Sequence, residues 1–148
     1  MRTRTSRTGN KGFTLIELIV VLVIIGIAAS VVFIAASNAY RKSVLRYEVR
    51  KVYSALNYSR ELSITRHTLL TFAAYEDSSG YTVTSNEKSI CARTLPGGSS
   101  ISAGTIEFYP LGDSSGGSLS ITDEQGRKYE IEVSNITGKA KVQRFQPS

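Results

Sequence analysis

Gly12-Phe13-Thr14-Leu15-Ile16-Glu17, continued by an apolar run that ends at Ala36, is the stretch that decides how this chain is built. The 19 residues from Leu18 to Ala36 include no Asp, Glu, Lys or Arg. That is close to the ~20 apolar residues a helix needs to span a bilayer core. One carboxylate, Glu17, stands at the head of the run. An acid at membrane depth is expensive and marks a functional position by default. Arg2, Arg4, Arg7 and Lys11 precede the run with no acid among them. A cationic flank on the N-terminal side of a spanning helix keeps that side cytoplasmic and sends the rest of the chain across.

Lys11-Gly12-Phe13-Thr14-Leu15-Ile16-Glu17 resembles the processing site of type IV prepilins and type II secretion pseudopilins. The likeness lies in the short basic leader, Gly12 at the cut, Phe13 after it, Glu17 at the fifth mature position and then the hydrophobic helix. It implies a leader of residues 1–12 removed by a prepilin peptidase that cuts between Gly12 and Phe13 and methylates the new amine. It implies a role in assembly for Glu17. Once residues 1–12 were gone, an ammonium at Phe13 would lie one helical turn from Glu17, because positions i and i+4 share a helix face. The amine of a neighbouring subunit would serve equally well. An unpaired carboxylate at membrane depth costs roughly 2.5 kcal/mol or more, so pairing would favour assembly. A plainer reading has Glu17 reach the headgroups near the helix start. A cleaved secretory signal fits less well: its apolar region is usually ~7 to 15 residues and has no use for an acid at its head.

The chain has 148 residues, enough for one globular domain beside the helix. Its formal charge of +6 overstates the remainder, since 4 of its 18 cations precede Gly12; the other 14 face 12 acids, a balance of +2. The basic pI is therefore in part a topology signal and not the mark of a nucleic-acid binder. A lone cysteine, Cys91, excludes an intrachain disulfide and a cysteine zinc site. Alternation in Ser89-Ile90-Cys91-Ala92 leaves its direction open. The single histidine, His67, follows Arg66 at an expected helix end and reads as structural.

Between Phe13 and His67 there is no proline and only one glycine, Gly26. Residues 13 to about 66 read as one helix, which would reach roughly 80 Å. Residues 13–36 form its transmembrane or fibre-core half and residues 37–67 its amphipathic half. In the latter, Leu45, Val49, Val52, Leu56, Ser59 and Leu62 recur at spacings of three and four. Arg41, Lys42, Arg46, Arg50, Lys51, Asn57 and Arg60 take the other face.

After His67 the period shortens. Thr68 to Tyr75, Tyr81 to Ser85, Lys88 to Ala92, Thr105 to Tyr109, Ser118 to Thr122, Lys128 to Val133 and Lys139 to Phe145 read as strands separated by Gly-rich turns. Residues 68–148 then form an antiparallel β-sandwich or small barrel. Such a domain has a marginal core alone, and the helix stripe completes it. The expected fold is α+β and pilin-like: a long N-terminal transmembrane α-helix packed on a C-terminal antiparallel β-sandwich.

Three further passages resemble the H-type minor pseudopilins, the GspH/FimT family. They are Ser59 to Arg66 followed by Leu69-Leu70-Thr71-Phe72; Phe108-Tyr109-Pro110-Leu111-Gly112 followed by Gly116-Gly117-Ser118-Leu119-Ser120-Ile121; and Val133 to Val142 with its Thr137-Gly138 turn. Ser85 to Ser102 adds nothing to this resemblance. The resemblance implies a non-enzymatic minor pseudopilin of a type II secretion system. Such a subunit is processed by prepilin peptidase, held in the inner membrane by a single pass with its β-domain periplasmic, and assembled with major and minor pseudopilins near the fibre tip. The implied contacts beyond the fibre are secreted substrate or the outer-membrane secretin. The alternative is a minor pilin of a type IV pilus that binds DNA for transformation, since fold and processing are shared.

No catalytic arrangement stands out, and no cofactor is expected. Asp77, Asp113, Asp123 and Glu124 sit in turns, and neither Asp-Ser-Ser-Gly segment matches an EF-hand loop, so no metal site is assigned. Lys139, Lys141 and Arg144 place three cations near the C-terminal strand, a possible DNA-binding end. Some competence-pilus relatives bind DNA through a Gly-Arg-x-Arg segment in a comparable place; lysine neutralises phosphate but lacks that fork. An edge strand blunted by lysine reads the same way.

Overall fold

The structure, a computed structural model, describes residues 13–144, without the side chains of residues 31, 34, 35 and 144. The leader cations, Gly12 and Phe145 lie outside the described residues. The chain divides into two compact units, residues up to Arg41 and residues from Lys42 onward. Helix α1, Leu15–Arg66, contributes to both.

In the first unit Thr14 caps the helix. Its Oγ1 accepts from the Glu17 amide at 3.3 Å, and its carbonyl accepts from the amides of Glu17 at 3.1 Å and Leu18 at 3.2 Å. A threonine cap three residues before a glutamate is the sequence form of a capping box. The helix therefore begins at Leu15 and not at Phe13. All the described side chains from Phe13 to Phe33 are exposed. Among the described residues no helix is long and apolar enough to cross a membrane. The sequence run that would span one passes through positions 31, 34 and 35, whose side chains lie outside the description.

In the second unit the expected stripe is the buried face of α1. Leu45, Val49, Val52, Leu56 and Ser59 are buried and Leu62 is partly so. Besides Ser59, the polar residues Glu48 and Ser63 are buried on this face. The helix closes at His67, whose φ of 52° is left-handed and whose Nδ1 lies 2.6 Å from the Ile64 carbonyl. The Thr68 amide then caps the Ser63 carbonyl at 3.2 Å.

Among the described residues eight antiparallel strands follow: β1 Leu70–Ala74, β2 Gly80–Ser85, β3 Lys88–Thr94, β4 Ser99–Ile101, β5 Thr105–Phe108, β6 Gly117–Asp123, β7 Lys128–Val133 and β8 Ala140–Arg144. They form two four-stranded sheets, ordered β3-β2-β1-β5 and β4-β6-β7-β8. The sandwich expectation holds; the sheets are not closed into a barrel. β4 lies in the stretch that adds nothing to the resemblance. Alternate residues of the strands point inward: Leu70 and Phe72, Tyr81 and Val83, Ile106 and Phe108, Leu119 and Ile121, Ile131 and Val133 are all buried. With the helix stripe, Leu95 and Ile101 they make one core, in which Phe72 and Tyr81 stack at 4.9 Å.

Candidate assembly and interaction surfaces

Glu17 is exposed in the first turn of α1, where its charge suits the helix dipole. Phe13, one turn back, is 74% exposed. Beyond the Thr14 cap, the described side chains that follow, from Leu18 to Ile25, are apolar and exposed. A helix apolar on all sides needs lipid or other helices around it.

The C-terminal cations do not form a stripe. Lys139 and Lys141 are exposed. Lys141 stands opposite Glu132 in the β7–β8 register, Gln143 stands opposite Glu130, and Gln143 Nε2 donates to Glu132 Oε2 at 3.0 Å. Arg144 stands opposite Tyr129, one residue out of phase with the lysines. The outer face of β7 and β8 therefore mixes both signs, and phosphate would meet Glu130 and Glu132 beside the lysines.

Two charged residues carry structure that the sequence reading missed. Arg60, expected on the solvent face of α1, donates through Nε to the carbonyls of Thr137 at 2.7 Å and Gly112 at 3.2 Å. It ties the β5–β6 loop to the β7–β8 turn because its long stem crosses the helix surface to reach both. Both loops hold a glycine with positive φ at the contact, Gly112 at 90° and Gly138 at 61°. A Cβ on Gly138 would run into the Gly112 carbonyl, so the two backbones can meet only there. The tips of these loops expose Leu111 at 94% and Ile136 at 80%.

Glu48 is 2% exposed and belongs to the buried stripe. Arg93 on β3 donates to it through Nη2 at 2.9 and 3.1 Å and through Nε at 3.2 Å. That bond holds the guanidinium pKa above its ordinary value, against burial. The Arg93 guanidinium also lies 5.8 Å from the Tyr47 ring centre. The signal was present in the sequence: Glu48 falls three residues after Leu45 and four before Val52, so a charge on that face had to find a partner inside.

The turn acids serve their own turns. Asp77 Oδ1 accepts from the Ser79 amide and hydroxyl at 3.0 and 2.7 Å, and these bonds lower its pKa. Burial pushes the Asp123 carboxyl up, but bonds from Arg127 outweigh it and leave the pKa lowered. No group of three or more metal-ligating side chains occurs among the described residues. Cys91 is exposed; it stands opposite buried Val83 in the β2–β3 register.

Two family models match the sequence: the prokaryotic N-terminal methylation motif over residues 7–33 and the type II transport protein GspH over residues 48–138. No curated protein sequence matches at a significant level. Among solved structures, the type IV minor pilin FimU of Pseudomonas aeruginosa is similar with a TM-score of 0.58 at 11% identity, covering 72% of this chain and 91% of that one. The minor pseudopilin EpsH of the type 2 secretion system of Vibrio cholerae is similar with a TM-score of 0.57 at 13% identity, covering 67% of this chain and 95% of that one. At such identities the likeness to these structures speaks for the fold alone.

Proposed function

Since this chain belongs to the GspH family of type II transport proteins and is a minor pseudopilin, we propose that it works without catalysis, as a subunit that α1 stores in the inner membrane and then packs into a periplasmic fibre near its tip. The observation that carries this is the order of the two matches, a methylation motif over residues 7–33 ahead of the transport domain over residues 48–138. Prepilin peptidase would cut between Gly12 and Phe13 and methylate the Phe13 amine. The apolar run from Leu18 to Ala36, preceded by four cations and no acid in residues 1–12, supports a single pass with the N-terminus cytoplasmic and the β-domain periplasmic. Major and other minor pseudopilins are its fibre partners in this reading, with secreted substrate or the outer-membrane secretin beyond them.

Glu17 supplies the assembly step. Left unpaired in lipid it costs roughly 2.5 kcal/mol or more, and an amine from the next subunit relieves that cost. Glu17→Ala should insert into the membrane and be cleaved but leave the fibre. Its measure is the fraction of chain recovered in sheared pseudopilus material, with intact mass confirming a start at Phe13. Normal incorporation of the mutant would refute the role of Glu17, and a mature chain that retains residues 1–12 would refute the processing.

The likeness to FimU keeps a type IV minor pilin as the second reading. In that case DNA binding would rest on Lys139, Lys141 and Arg144. The glutamates interleaved with the lysines count against it.

A further inference from the structure

Among the described residues, strand β8 is the last strand of its sheet and has a neighbour on one side only. An antiparallel neighbour engages about half of a strand's backbone groups, so the rest of β8 faces outward. Between this strand and α1 lies a groove of about 340 Å³ lined by Arg46, Val49, Arg50, Tyr53, Tyr129 and Val142. All six belong to the second unit. The floor is apolar: Val49 is buried, Tyr129 packs against the core, and Tyr53 and Val142 are 38% and 39% exposed. The rim is cationic. Arg46 and Arg50 are exposed one helical turn apart, and among the described residues neither has an acidic partner.

We propose that this groove and the free edge of β8 form a docking site for an extended acidic segment of a partner protein. The segment would add to β8 as a further antiparallel strand, its amides and carbonyls pairing with those that β7 leaves free. Main-chain bonds of this kind supply affinity, and side-chain pockets supply selection. Every second residue of such a strand would turn toward α1, and aliphatic side chains on that face would cover Val142 and Tyr129, with carboxylates interspersed among them. Its carboxylates would meet Arg46 and Arg50, whose planar forks bind carboxylates in bidentate fashion. Charge selects the occupant: the groove has two guanidinium groups and no acid. A nucleic acid would use the same cations but leave the apolar floor uncovered. The site stands apart from the Glu17 assembly role and does not depend on it.

The test uses the full chain in a neutral detergent and a blocked, fluorescein-labelled octapeptide Val-Ser-Glu-Ser-Val-Ser-Glu-Ser, whose valines and glutamates share one strand face, read by fluorescence anisotropy near physiological salt. The expected result is saturable binding, weakened at least about tenfold in the Arg46→Glu/Arg50→Glu double variant, with no binding of the matching peptide that has lysine for glutamate. Both arginines are solvent-facing, so the variant should keep the parent's circular dichroism. Hydrogen exchange should slow at β8 amides when the glutamate peptide is added. The proposal is overturned by absent binding, by equal binding of the lysine peptide, by an unchanged affinity in the double variant, or by protection confined to other strands. A DNA duplex that displaces the peptide from the same arginines would also overturn it and make this face a nucleic-acid surface.

Discussion

Replacing Arg93 by alanine should destabilise the β-domain strongly for a single side chain. The change leaves the Glu48 carboxylate on the core face of α1 with none of its three guanidinium bonds. Side-chain exposure is 3% for Glu48 and 31% for Arg93, so the acid is left inside while the cation had stood near water. Breaking a fully buried pair costs about 3 to 5 kcal/mol, and exposed pairs are worth less than about 1 kcal/mol. A partner one-third exposed puts the expected loss near 2 kcal/mol, or roughly 8 to 16 °C in melting temperature for a domain of this size. Near-ultraviolet circular dichroism of the full chain in neutral detergent reads this directly. Seven of the eight tyrosines lie from Lys42 onward, so the signal reports on the second unit. The double variant Glu48→Leu/Arg93→Leu should regain most of the loss, because an apolar pair of similar volume replaces a desolvated ionic one. A loss under about 2 °C for Arg93→Ala would refute the reasoning. So would a double variant as unstable as the single one.

Arg60→Ala should cost about 2 kcal/mol by removing two charge-assisted bonds to carbonyls; hydrogen exchange should quicken at residues 111–113 and 136–138 before the rest of the domain, and uniform quickening would count against the tie. Burial pushes the Tyr81 phenol from 10.0 up to about 12, the nearby Cys91 adding to the rise and Arg93 opposing it. The folded state therefore keeps a proton that the unfolded state loses, so stability should be flat below pH 10 and fall between pH 10 and about 12. The difference from Tyr81→Phe across that window should reach no more than about 3 kcal/mol, and identical curves for the two proteins would disprove it.

What the sequence made legible follows from how each signal repeats. The stripe from Leu45 to Leu62 recurs over several turns of helix, and Lys128 to Val133 alternates through a full strand, so both were readable with their boundaries nearly right. β4 was not readable. Ser99-Ser100-Ile101 is too short to show a period, and it is a strand because β6 pairs with it through Ser99–Asp123, Ser100–Thr122 and Ile101–Ile121. The direction of Cys91 was equally hidden, since β3 borders its sheet and takes its exposure from what fails to cover it.

Arg60 shows a different limit. The sequence reading separated three passages: the end of the helix, the Pro110-Leu111-Gly112 loop and the Thr137-Gly138 turn. In the structure they are one junction, with a single guanidinium joining carbonyls 52 and 77 residues away along the chain. The two glycines are spaced by the requirement that two backbones meet beneath that side chain, not by any local turn. Neither glycine reveals this alone, because positive φ at a turn is ordinary. Arg60 in isolation reads as one more cation on a wet helix face. Only closing the two sheets against α1 brings the donor to both acceptors. Side chains that join distant loops carry no periodicity, so a linear reading assigns them to solvent. In this chain Arg60 and Glu48 both tie α1 to the strands and loops around it, and such a reading misplaced the one and passed over the other.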